Sequence, residues 1–142
     1  MDTVDRTTEL PATELAPSRA ARILVIDDDR HVRTLLCDLL DAWGYEADAA
    51  ADGREGLRLF EPGRYDAVLT DLGMPGISGL DVLAGVRDRD AAVGLIMFTA
   101  FTGDLDGERH RLGFTVLRKP LEIEPLRCAV RAAVDARGTM AG

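Results

Sequence analysis

The chain is 142 residues long, 46% apolar and carries a formal charge of −8 at neutral pH. That length suits one domain with one core, and the acidic balance argues against a direct nucleic-acid binder, which needs clustered Lys and Arg for phosphate contact. No apolar stretch approaches the roughly 20 residues that span a bilayer and no basic-then-apolar leader opens the sequence, so a soluble cytoplasmic protein without a membrane partner is the expectation.

Residues 1–20 hold Thr, Pro and four acids with no apolar period, and read as a flexible N-terminal tail. A first strand covers about 22–27. The helix after it places Val32, Leu35, Leu36, Leu39 and Leu40 on one face at helical spacing and ends at Gly44, which suits a left-handed cap. Residues 45–49 make a weaker, alternating strand of the kind found at a sheet edge. Asp52 opens a second helix with Glu55 three residues on, the pattern of a capping box; Leu57 and Phe60 face inward and Pro62-Gly63 stops it. Strand 3 is about 65–70. A loop with Gly73, Pro75, Gly76 and Gly79 precedes a third helix that buries Leu80, Leu83 and Val86. Strand 4 is 93–98. The stretch from Thr99 to Gly113 has two interior glycines and few apolar residues, which predicts a short, frayed fourth helix, since each glycine costs about 1 kcal/mol against alanine. Strand 5 is 114–118. The last helix, about 122–136, sets Ile123, Leu126, Val130 and Val134 on one face, and 139–142 form a C-terminal tail. Cys37 and Cys128 fall among apolar helix positions and are expected to be buried free thiols. His31 and His110 lack a partner at metal-ligand spacing and are expected on exposed helix faces.

Strands alternating with helices imply an α/β fold, a doubly wound five-stranded parallel sheet of flavodoxin-like order 2-1-3-4-5 over residues 21–138. In such sheets chemistry sits at the carboxyl ends of the strands, at the switch point between strands 1 and 3. Four apolar runs end there in different polar groups: Asp27-Asp28-Asp29, Asp71, Thr99 and Lys119-Pro120. Asp28 and Asp71 at the ends of adjacent strands would repel unless a proton or cation intervened. Asp27 could join them, and the backbone carbonyl of Gly73 could supply one more oxygen to a hard divalent cation such as Mg2+. Asp71 is the best nucleophile, able to attack an activated phosphorus. Lys119 would offset the growing charge and the Thr99 hydroxyl could donate to a phosphoryl oxygen. Taken singly, an Asp triplet caps a helix, a strand-end Thr bonds backbone and Lys-Pro makes a turn; only the ordered set points to phosphoryl chemistry.

The stretches Ile23–Asp29, Asp71–Leu80, Phe98-Thr99-Ala100 and Lys119-Pro120-Leu121 resemble bacterial response-regulator receiver domains, over about residues 22–136. The resemblance implies a two-component switch that takes a phosphoryl group on Asp71 from a sensor histidine kinase or a histidine phosphotransfer protein. It assigns Asp27 and Asp28 to Mg2+ binding, Thr99 as the switch hydroxyl, Lys119 as the basic partner of the phosphoryl group, and a cis bond at Lys119-Pro120. By the same resemblance the only reaction catalysed is the chain's own phosphorylation and dephosphorylation. Two places depart from the family pattern. Val116 stands where an aromatic switch residue is usual, with Phe114 two residues earlier, so switching is expected to run through the glycine-rich helix 4 region. Phe101 lies two past Thr99, where its bulk would slow attack by water on the phosphorylated form, although Gly73 leaves space.

The expected output is an altered protein–protein contact with an unknown partner. Few residues follow the last helix, so a stand-alone chemotaxis- or phosphorelay-like receiver is expected, with a fragment of a hybrid kinase or larger regulator as the alternative. A homodimer through helix 4, strand 5 and helix 5 is open; the charges there, Glu108, Arg109, Arg111 and Arg118, read as a solvated face. A Mg2+-dependent phosphatase with an aspartyl-phosphate intermediate would want a second carboxylate where Gly73 stands. A flavin or nucleotide module would want a phosphate-cradling loop where Asp27, Asp28 and Asp29 stand.

Overall fold

The computed structural model describes residues 20–141, with side chains through Arg137. The expected tail at 1–20 therefore lies outside the described residues apart from its last position. Elements alternate along the chain: β1 (Arg22–Ile26), α1 (Arg30–Ala42), β2 (Glu46–Ala50), α2 (Gly53–Leu59), β3 (Ala67–Thr70), α3 (Gly79–Arg89), β4 (Gly94–Thr99), α4 (Asp106–Leu112), β5 (Phe114–Arg118) and α5 (Ile123–Ala141). All strand pairings are parallel and the order is β2-β1-β3-β4-β5, as the alternation predicts.

Side chains of successive strand residues point to opposite faces, and this splits the core in two. Ile23, Val25, Ala67, Leu69, Ile96 and Phe98 meet Leu36 and Leu40 of α1 and Leu126 and Val130 of α5. Leu24, Ile26, Val68, Leu95 and Met97 meet Val82, Leu83 and Val86 of α3, with Phe60, Leu105 and Leu112 around them. Burial on both faces explains why β1, β3 and β4 are apolar without alternation. Strand β2, at the sheet edge, buries only Ala50.

The helix ends follow local chemistry. Asp29 caps α1, its carboxylate accepting from the His31 and Val32 amides. Gly44 takes a positive φ of 91° just beyond α1, as expected of a left-handed stop. Asp52 accepts from the Glu55 amide, while the Glu55 carboxylate reaches back to the Ala51 amide. Ser78 and Asp81 form a reciprocal capping box on α3.

Several expectations about individual positions need correction. Cys128 is exposed and Cys37 half-buried, so neither is a buried core thiol. Leu35 is 47% and Ile123 52% exposed: on α1 the inward face is taken by Leu36 and Leu40, with Leu35 to one side of it, and Ile123 is the first residue of α5. Leu80 and Val134 are half-buried, and Val82 takes the core place on α3 instead. Helix α5 runs to Ala141, through most of the expected tail at 139–142, since no proline follows Pro125 in its first turn to end it. Helix α4 is short, as expected: seven residues with no side-chain hydrogen bond at its N-cap. His31 and His110 are exposed on their helices.

Candidate functional site

Register brings the site together. Ile26 pairs with both Ala50 and Thr70 across the sheet, so Asp27 and Asp71, each one residue further, leave adjacent strands side by side. The Asp71 amide donates to the Ile26 carbonyl at 3.0 Å and the Asp27 amide to the Ala50 carbonyl at 3.2 Å. These main-chain bonds hold both carboxylates at the strand ends. Carboxylate oxygens of Asp27, Asp28 and Asp71 all lie within 4.8 Å of one another. Asp27 is buried (1% exposed), Asp28 exposed and Asp71 between them. Of the Asp triplet, Asp29 is used up as a helix cap and the other two are free for the site.

Lys119 closes the group from β5. Its Nζ lies 3.2 Å from Asp71 Oδ2 and 3.4 Å from Asp27 Oδ2, over the ring of Phe98 at 5.3 Å from the centroid. Its amide donates to the Thr99 carbonyl at 2.8 Å, and the Lys119-Pro120 bond is cis. Thr99 is 2% exposed at the end of β4. Its Oγ1 accepts from the Phe101 amide at 3.1 Å, which leaves the hydroxyl proton available to another acceptor. Gly73 is exposed two residues past Asp71. The structure thus gathers Asp27, Asp28, Asp71 and Lys119 directly, with Thr99 at the end of β4 and Gly73 on the loop after β3.

Burial pushes the Asp27 carboxyl above its ordinary value and Asp71 adds to the effect, against the opposing pull of the Asp29 amide and Lys119. Burial works against the charge of Lys119, but Asp27 and Asp71 more than offset it and hold the ammonium above its ordinary value. Two crowded carboxylates with an interposed cation are what a site for a hard divalent ion requires: the donor set is all oxygen, and the three acids fit such an ion.

Two supports were not legible in the sequence. Arg33 of α1 donates to the Asp27 carbonyl at 2.7 Å and braces the acidic loop. A cation early in a helix, where the dipole disfavours it, was the available signal. Gly79 donates its amide to the Leu72 carbonyl at 2.8 Å, and a Cβ there would fall 2.0 Å from the Asp71 carbonyl oxygen. The first turn of α3 approaches the Asp71 backbone so closely that only glycine fits. Val116, at the position where an aromatic is usual, is half-buried and packs on the α3–α4 side of the core beside Phe114.

The family described as response regulator receiver domain matches residues 23–131. The chain belongs to that family. It is 34% identical to sporulation initiation phosphotransferase F of Bacillus subtilis, over 78% of this chain and 90% of that protein. It is 43% identical to the response regulator MprA of Mycolicibacterium vanbaalenii, over 78% of this chain but only 49% of that protein. The chain thus spans most of one curated relative and about half of several others. Among solved structures it resembles the response regulator TrrA of Thermotoga maritima in complex with Mg2+ and beryllium fluoride, at 35% identity and a TM-score of 0.73, over 80% of this chain and 98% of that one. The receiver is a phosphoryl-accepting module of two-component signalling, and receivers work with histidine kinases or phosphotransfer proteins. No helix among the described residues is long and apolar enough to cross a membrane.

Proposed function

We propose that Asp71 is the phosphoryl acceptor of this receiver. The observation that carries the reading is the Lys119 ammonium bridging Asp71 and Asp27 at 3.2 and 3.4 Å, beside a third carboxylate. An Asp71 carboxylate oxygen attacks the phosphorus of the donor. A new O–P bond forms, and the bond from phosphorus to the donor's imidazole nitrogen breaks, its electron pair leaving with the imidazole. Lys119 then trades its contact with the Asp71 carboxylate for one with the phosphoryl oxygens, and Thr99 donates its hydroxyl proton to another of them. Asp27, Asp28 and Asp71, with the Gly73 carbonyl, are the groups that would hold Mg2+, which supplies charge neutralisation to the phosphoryl oxygens when bound.

On this reading the receiver spans residues 21–138 and acts in the cytoplasm. It catalyses only its own phosphorylation and dephosphorylation. The donor is a sensor histidine kinase or histidine phosphotransfer protein, and a partner protein reads the phosphorylated form. Phe101 slows the return of water. A phosphatase acting on other substrates is disfavoured by Gly73, which offers no second carboxylate two residues beyond the nucleophile.

The test is intact mass after incubation with acetyl phosphate and Mg2+, wild type beside Asp71→Ala. One added phosphoryl group in the wild type, absent without Mg2+ and absent in the variant, supports the reading. Incorporation that survives in Asp71→Ala overturns it.

A further inference from the structure

Strand β5 carries a second basic side chain next to Lys119, and the phosphoryl reading gives it no role. Arg118 is exposed and pairs with Thr99 across the β4–β5 ladder. Its guanidinium turns over the loop between β4 and α4, donating to the Phe101 carbonyl and, at 3.3 Å, to the Gly103 carbonyl. The loop is also closed from within. The Phe101 ring lies so tightly on Gly103 that a Cβ there would fall 2.1 Å from the ring's Cζ. The Phe101 amide in turn donates to Thr99 Oγ1 at 3.1 Å. A continuous chain of bonds therefore runs from the Thr99 hydroxyl through the Phe101 peptide to Arg118. Val116 is a half-buried aliphatic packed against the core.

We propose that Arg118 is a positioning residue, a clamp on the β4–α4 loop that opposes movement of Thr99 toward a phosphoryl group on Asp71. The inference rests on the phosphoryl reading of the site. For the Thr99 hydroxyl to turn to a phosphoryl oxygen, its bond from the Phe101 amide must lengthen or the loop must follow. The loop follows only if Arg118 releases the two carbonyls. Phosphorylation and release of Arg118 are then linked: whatever loosens the clamp favours the phosphorylated arrangement by the same factor that phosphorylation loosens the clamp. Release would also free a cation on the exposed edge of the sheet, where a partner can sense it. The planar guanidinium suits the task because it presents two donors to two carbonyls at once, which an ammonium on a flexible stem does not do.

The test compares the full chain with Arg118→Ala and Arg118→Lys by two measurements. The first is amide hydrogen exchange without any phosphoryl group. The second is affinity for beryllium fluoride in saturating Mg2+, followed by NMR. In Arg118→Ala the Phe101 amide, the loop amide bonded to Thr99 Oγ1, should exchange about tenfold faster while those of Leu126 and Val130 in α5 stay unchanged. Its affinity for beryllium fluoride should rise about fivefold, with Arg118→Lys between the two. Unchanged loop exchange overturns the clamp. So does faster exchange with an affinity that is unchanged or weaker, since the loop would then be held but not coupled. A wild type that takes no beryllium fluoride defeats the phosphoryl reading itself, and the exchange arm alone then decides whether Arg118 holds the loop.

Discussion

The acid pocket and the β4–α4 loop sit at the same edge of the sheet but are built in opposite ways. In the pocket two of the three carboxylates are held by main-chain bonds to a neighbouring strand, Asp71 to Ile26 and Asp27 to Ala50, and Gly79 presses against the Asp71 backbone from behind. The loop has no ladder. Ahead of Leu105, which anchors its end in the core, it is held by one hydroxyl, one ring on a glycine and one exposed guanidinium. Its Phe101 is 45% exposed and the following helix starts without a side-chain cap. Chemistry needs groups held to within a fraction of an ångström, whereas a switch needs an element whose two arrangements differ by little free energy. The molecule places the first on strand ends and the second on a largely exposed segment outside the ladder.

The largest effect that would sharpen this contrast is Lys119→Ala. Losing the cation that faces the phosphoryl group should slow phosphorylation by acetyl phosphate about 100-fold. Mg2+ affinity, measured by calorimetry, should be no weaker than in the wild type, because a cation competing for Asp27 and Asp71 has gone. A parallel loss of metal binding would mean that Lys119 holds the pocket's shape rather than its charge balance.

Asp27→Asn tests whether the pocket is strained in favour of function. The Asp27 carboxyl is raised by burial. The sign is that of any raised carboxyl: it favours the folded state most below its unfolded value, and that contribution is lost as pH rises through the folded value. At neutral pH its charge is therefore a net burden, while Asn keeps the acceptor for the Asp29 amide and leaves Lys119 paired with Asp71. The metal-free variant should be about 1 kcal/mol more stable than the wild type at pH 7, a few degrees in Tm. The order should reverse in saturating Mg2+, which binds the wild type more tightly because it keeps all three carboxylates. A variant less stable in both conditions contradicts the strained pocket.

At the opposite end of the sheet, Asp90 accepts from the Gly63 and Ala92 amides at 3.0 Å each and from Arg137 at 2.8 Å. Burial raises its carboxyl, but these bonds outweigh burial and hold it below the ordinary value. Its contribution is present at neutral pH and fades as pH falls from about 4 through the folded value. Asp90→Asn should lower stability by about 1–2 kcal/mol at pH 7, and its denaturation midpoint should converge on the wild type's in acid. Phosphorylation should be untouched. The smallest effect belongs to the loop: Phe101→Ala should shorten the phosphorylated lifetime by about threefold, with stability changed by less than about 0.5 kcal/mol. A lifetime that does not shorten removes Phe101 from the account of dephosphorylation.

The pocket was legible in the sequence because parallel register converts strand ends into neighbours. Once Ile26 and Thr70 are placed as last residues of adjacent strands, Asp27 and Asp71 must meet. The parallel sheet followed from the alternation of strands and helices, its order from the flavodoxin-like type of such sheets, and the short α4 from glycine content. Single positions did not: Leu35 sits beside the inward Leu36 on α1 and Ile123 opens α5, so both are exposed although the apolar pattern includes them. Cys128, by contrast, lies on the far side of α5 from Leu126 and Val130, which helical spacing alone would have shown. Arg33 and Arg118 were missed for a different reason. Each bonds to backbone carbonyls, which every residue has, so no pairing pattern in the sequence marks the contact.

Whether Asp71 carries the phosphoryl group is decided by phosphorylating the wild type with acetyl phosphate and Mg2+, reducing with borohydride and mapping the peptides. Reduction of an acyl phosphate leaves homoserine at the modified aspartate, and the account places it at position 71 alone. Homoserine at position 27 or 28, or none in a sample whose intact mass shows the added phosphoryl group, would contradict it.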